Sequence, residues 1–230
     1  MIYGWVRWAS GRQVWLPIVL WAAAFVVVFL YWYVPIWSGP WSSGTHPYAI
    51  FASGYAPLIA GLIGSYGILP HLDWVDAQSS AHAQARDLTA LVIEIAAFSF
   101  IPIFVRWLIS LGSFYTLFVP SEYEIHDPAT LSRDVPFAMI WPYTLFIAGI
   151  LGFGALATGI VGRRFGPILG LFAYFAVVMC QGHSILPLVF PRMMLTHYHP
   201  VSAILPILLL LAGLALFRRT ASGVRAVLNL

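Results

Sequence analysis

From Val14 almost to the C-terminus the chain is a succession of long apolar runs, broken by short polar connections. Runs of this length need lipid as their solvent, because a 230-residue chain cannot hide them all in one water-facing core. Only 8% of the residues are Asp, Glu, Lys or Arg, so any function rests on few polar groups. Every basic residue is Arg, scattered singly or in pairs between apolar runs, a pattern that does not suit nucleic acid. The single cysteine, Cys180, excludes an intrachain disulfide.

The runs predict an all-α integral membrane protein with a single transmembrane domain over residues 1–230. Six spans are expected, at about 14–34, 48–69, 88–118, 135–161, 165–190 (broken) and 201–217. The first reads as a retained span, because it follows Arg7 and Arg12 and lacks a small-residue cleavage site. Before it, Met1–Gln13 mixes Trp5, Trp8 and Tyr3 with arginine, which suits an amphipathic helix lying at the headgroups. The third span exceeds the hydrocarbon thickness, so it must tilt, kink at Pro102 or project from the membrane. The fourth contains GILGFGALATG, whose Gly149, Gly152, Gly154, Ala155 and Gly159 permit close helix contact.

An even number of spans puts both termini on one side. With that side cytoplasmic, Arg7, Arg12, Arg86, Arg163, Arg164, Arg218, Arg219 and Arg225 lie inside. Arg133 and Arg192 fall outside and Arg106 within a span, which follows the positive-inside rule.

Three polar features are candidates for function. The first is HLDWVDAQSSAHAQARD, from His71 to Asp87, between spans two and three. It is long enough for a short helix on which a cytoplasmic partner could act through Asp73, Asp76, Arg86 and Asp87, although it also reads as a solvated loop. The second is the pair of intramembrane charges, Glu94 and Arg106. Ionisable groups in lipid are costly and default to functional candidates, and these two lie about 18 Å apart along a helix, too far to pair. The third is Cys180 to His199, where Gly182, Pro187 and Pro191 interrupt an apolar run. Broken helix at membrane depth is tolerated only against protein or a cavity, so a re-entrant outer hairpin is expected, with His183, Leu188 and Phe190 as pathway candidates. The same segment holds His183, Met193, Met194, His197 and His199, a soft donor set that offers an alternative metal site.

In layout the chain resembles the membrane subunits of ABC-2-type ABC exporters. The resemblance lies in the N-terminal elbow MIYGWVRWASGRQVW, the connector HLDWVDAQSSAHAQARD, the small-residue span and basic turn GILGFGALATGIVGRRFGP, and the broken outer hairpin CQGHSILPLVFPRMM. It implies a permease subunit in the bacterial cytoplasmic membrane, with no cofactor of its own. ATP and Mg would be bound by an ATP-binding cassette partner subunit, and a second permease copy or paralogue would complete the pathway. The cargo would be amphipathic: a peptide, a lipid or a drug. Two readings stand beside it, an integral-membrane metalloprotein or redox subunit with the outer His, Met and Cys ligands, and a non-catalytic membrane subunit of a larger complex.

Overall fold

The computed structural model describes residues 9, 12–31, 35–38, 49–68, 81–110, 137–162, 164–180 and 200–221. They form six helices: α1 (Trp15–Tyr31), α2 (Ala52–Ile68), α3 (Ala81–Ser110), α4 (Phe137–Val161), α5 (Gly166–Cys180) and α6 (Ile204–Ala221). Three helical stretches are long and apolar enough to cross a membrane: Ala85–Leu108 in α3, Ile140–Val161 in α4, and Val201–Arg218, which runs from a short 3-10 turn (Pro200–Ala203) into α6. α1 and α5 carry shorter apolar stretches. The helical expectation therefore holds, with two differences. A short antiparallel ribbon, β1 (Pro35–Ser38) and β2 (Ala49–Phe51), joins α1 to α2. Its β-branched and aromatic residues favour extended backbone, and pairing satisfies N–H and C=O groups that a plain reversal would leave open. α3 also begins earlier than hydropathy predicts, at Ala81, so the last residues of the polar connector are helical. The elbow before Ala9 and the outer hairpin beyond Cys180 lie outside the described residues.

α4 is the hub, packing against α2, α3, α5 and α6. Two thirds of its apolar window (67%) is buried, against 22% for α6. The core between these helices holds Leu58, Phe98, Ile101, Phe146, Ile150 and Tyr174, with Phe146 and Tyr174 edge to face at 5.8 Å. The outer surface is as apolar as the core: Trp15, Ile18, Ile93, Phe172 and Leu211 are all more than half exposed. A continuous greasy exterior of this kind marks a lipid-facing bundle.

Glycines set the closest helix approaches. A Cβ on Gly152 would stand 2.5 Å from Leu210 Cα, one on Gly159 would meet Leu216 Cδ2 at 2.9 Å, and one on Gly213 would collide with the Gly152 carbonyl oxygen. Gly152 thus faces Leu210 and Gly213, and Gly159 faces Leu216, so α4 and α6 run parallel. Small residues let two backbones touch where no hydrophobic effect between helices is available.

Between α4 and α5 the chain turns at Gly162, the single described residue with positive φ, +88°. Gly162 N–H donates to Thr158 O at 3.0 Å and Gly166 N–H to Gly162 O at 3.0 Å, closing the helix end. Nothing lies within 4 Å of a Cβ added at Gly162. Gly162→Ala should therefore cost backbone strain alone, about 1–2 kcal/mol in an unfolding measurement. An unchanged stability would count against this turn.

Candidate functional site: a buried carboxylate between three helices

One end of the bundle is tied together by polar contacts. Arg12 Nε donates to Asp87 Oδ1 at 3.3 Å and Arg12 Nη2 donates to Asp87 Oδ2 at 3.0 Å, a fork-to-fork ion pair between a part-buried Arg12 and a buried Asp87. Beside it, Gln13 N–H donates to Gly67 O at 3.1 Å. A Cβ on Gly67 would come within 2.6 Å of Gln13 O, so glycine is needed for this approach. Tyr66 Oη donates to Arg164 O at 2.8 Å. The start of α1, the end of α2, the start of α3 and the α4–α5 turn therefore meet at one level, and α6, parallel to α4, ends there too. Arg12, Arg86, Arg164 and Arg218 consequently share one end of the bundle, whereas Arg106 lies towards the other.

From that end a buried seam runs along α3. Asp87, Leu91, Glu94, Phe98, Ile101 and Val105 follow one another in alternating steps of four and three residues and are all buried. This is the spacing of a helix face that keeps a neighbour in register. Two of its members are acids. Asp87 has Arg12, whereas Glu94, seven residues or about 10 Å further along, lies among aliphatic groups.

Glu94 is 5% exposed, and neither of its carboxylate oxygens has a hydrogen-bond donor among the described residues. It borders a cavity of about 10 Å³ between α2, α3 and α4. That is room for roughly one water molecule or an ion of similar size. Gly61 and Ser65 of α2 and Gly154 and Thr158 of α4 complete its polar and open wall. Gly64 makes room for the acid: a Cβ there would sit 2.6 Å from Glu94 Oε1 and 3.3 Å from Pro17 Cα of α1. Ser65 Oγ donates to Leu62 O at 2.7 Å, and Thr158 Oγ1 donates to Gly154 O at 2.8 Å. Both hydroxyl hydrogens are thus committed to helix carbonyls, and their oxygens remain as acceptors.

Comparison with known proteins finds no matching family model, curated relative or solved structure. The site is read from its own chemistry.

Among the residues expected to carry function, Glu94 and Arg106 are both buried on α3, twelve residues apart. Asp87, grouped with the coupling residues, is turned into the bundle and bonded to Arg12, while Arg86 beside it is half-buried. Asp73 and Asp76 lie outside the described residues, as do His183, Leu188, Phe190, Met193, Met194, His197 and His199. Among the described residues no group of three or more His, Cys, Asp or Glu could hold a metal ion. Sequence reasoning missed Arg12 as the partner of Asp87, and Gly64, Ser65 and Thr158 as the surroundings of Glu94. One signal was present: Gly61, Gly64 and Gly67 recur every third residue in GLIGSYG, a small-residue stripe marking the face of α2 that receives α1, α3 and α4.

Proposed function

We propose that this chain is a transport protein of the bacterial cytoplasmic membrane, a permease whose six helices all span the bilayer with both termini cytoplasmic. The observation that carries transport is Glu94. A carboxylate in the interior of a lipid-facing bundle, beside a small cavity and away from any compensating charge, is costly to keep and default evidence of a pathway or binding role. The grouping of Arg12, Arg86, Arg164 and Arg218 at one end supports the orientation. Single cysteines at Ser132 and Ser222 test it: a membrane-impermeant thiol reagent added outside should label the first and spare the second. The reverse pattern would overturn the topology.

Within that class we assign the chain to the membrane subunit of an ATP-driven ABC exporter of an amphipathic peptide, lipid or drug. It would act with an ATP-binding cassette subunit that holds ATP and Mg and with a second permease copy or paralogue. The support is the layout of elbow, polar connector, small-residue span and broken outer hairpin. Purification from its native membrane in mild detergent should bring down an ATP-hydrolysing subunit. Charge reversal at Asp73, Asp76 and Arg86 together should uncouple hydrolysis from export while leaving the chain inserted. Recovery of the chain without an ATPase, or full export by the triple variant, would remove the ABC assignment and leave transport to be tested at Glu94.

A further inference from the structure

The side-chain polar groups among the residues lining the cavity beside Glu94 are acceptors. Its carboxylate oxygens have no donor among the described residues, and the Ser65 and Thr158 hydroxyls have given their hydrogens to Leu62 O and Gly154 O. The remainder of the wall is glycine, alanine and aliphatic side chain. The facing elements bring no opposing charge: α1 presents Pro17, α2 presents Gly64 and Ser65, and α4 presents Thr158. Tyr55, Tyr66, Tyr143 and Tyr174 are outside its wall. The nearest charges along the α3 seam, Arg12 and Asp87, are bonded to each other. A bare carboxylate in such surroundings is unstable, and a set of acceptors with room for one small particle is complementary to a positive one.

We propose that Glu94 and Ser65 form a binding site for one small monovalent cation, a proton or a sodium ion, in the cavity between α2, α3 and α4. As a proton the cation sits on a Glu94 oxygen. As sodium it lies in the cavity against the carboxylate and the Ser65 hydroxyl oxygen, the hard oxygen donors such an ion prefers, with water completing its shell. Both occupants neutralise the same carboxylate, so they compete for it. Because three helices contribute to the wall, loading and unloading changes the charge at the centre of the bundle, and cation occupancy is thereby coupled to how tightly α2 and α4 close on α3. This goes beyond the export reading and needs no ATPase for its test.

The test is difference infrared spectroscopy of the full chain in lipid nanodiscs, following the C=O stretch of a protonated carboxyl group. Such a band should be present at low pH, shift in deuterium oxide and be absent from Glu94→Gln. Raising the pH should bleach it. At a fixed pH that leaves the band intact, adding sodium chloride in place of choline chloride should also bleach it if sodium is an occupant. Bleaching by pH alone identifies the proton as the sole cation. A carboxyl group indifferent to both would overturn the proposal, as would a permanent carboxylate served by rotated hydroxyls. Ser65→Ala removes the hydroxyl oxygen and keeps the helix. It should raise the half-effective sodium concentration about tenfold, the loss expected for one contact to a charged group, and move the proton response much less. If Glu94→Gln does not fold, Gly64→Ala replaces it: the added methyl group pushes the carboxylate off the α2 wall and should shift the band and weaken the sodium response. An unaltered band and sodium response in Gly64→Ala would likewise count against the site.

Discussion

Arg12→Ala is expected to destabilise the bundle by about 3–5 kcal/mol, because it leaves the Asp87 carboxylate buried without its cation. The two fork hydrogen bonds, at 3.3 and 3.0 Å, tie the segment preceding α1 to the first turns of α3, across 75 residues of sequence. Asp87 is buried, with its side chain 3% exposed, so it cannot turn to water without moving a helix end. The loss should be mostly restored in Arg12→Met/Asp87→Leu, where no charge remains to be compensated. Unfolding of the parent and the two variants in detergent measures it. A single variant as stable as the parent would mean that Asp87 finds another partner, and a double variant as weak as the single would mean that packing rather than charge holds this end.

The second large effect is expected at the α4–α6 crossing. Gly213→Val places a branched side chain against the Gly152 carbonyl oxygen, and Gly152→Val places one against Leu210 Cα. In both cases the obstacle is backbone, so no change of rotamer relieves it. Each variant should lose about 3 kcal/mol or more, at the upper end for overpacking a close contact. Gly154→Ala is the control, because its added methyl group meets only the Cδ2 atom of Leu62, at 2.8 Å. That atom is the end of a flexible side chain, and the cost should stay near 1 kcal/mol. Thermal unfolding in nanodiscs gives the order. A Gly154 effect equal to that of Gly213 would argue that cavity lining, not helix approach, dominates.

Much of the bundle could be read from the apolar runs, since each helix lies within or close to one. The glycines of the fourth run announced a close helix contact but not that α6 makes it, and Glu94 stood out as an acid among apolar residues. What could not be read was which way each helix faces. In water an amphipathic stripe gives the answer, but here the exterior is apolar as well: Ile93 and Val92 face outward beside the buried Leu91 and Ile95. Small residues are then the main facial signal, and in α2 the stripe of Gly61, Gly64 and Gly67 carries it. The Arg12–Asp87 pair is hidden for another reason. Its members belong to segments whose hydropathy says nothing about pairing, and the bond depends on α1 and α3 starting at the same level. The β1–β2 ribbon was obscured by a Trp-, Gly- and Pro-rich connection that reads as irregular throughout.

α6 docks mainly on α4 and not on α5, the helix before it among the described residues, and this has a consequence for assembly. When α4 leaves the ribosome, the groove at Gly152 and Gly159 is complete but has no occupant. The residues that fill it, Leu210, Gly213 and Leu216, belong to the last described helix. Sixty residues separate the end of α4 at Val161 from the end of α6 at Ala221. At elongation rates of up to about 20 residues per second, the groove faces lipid or the insertion machinery for about three seconds or longer. During that interval two nascent chains side by side would each offer the other an open glycine seam. Correct closure therefore depends on α6 of the same chain arriving before a neighbour's does, a race settled by local concentration rather than by the strength of the finished contact.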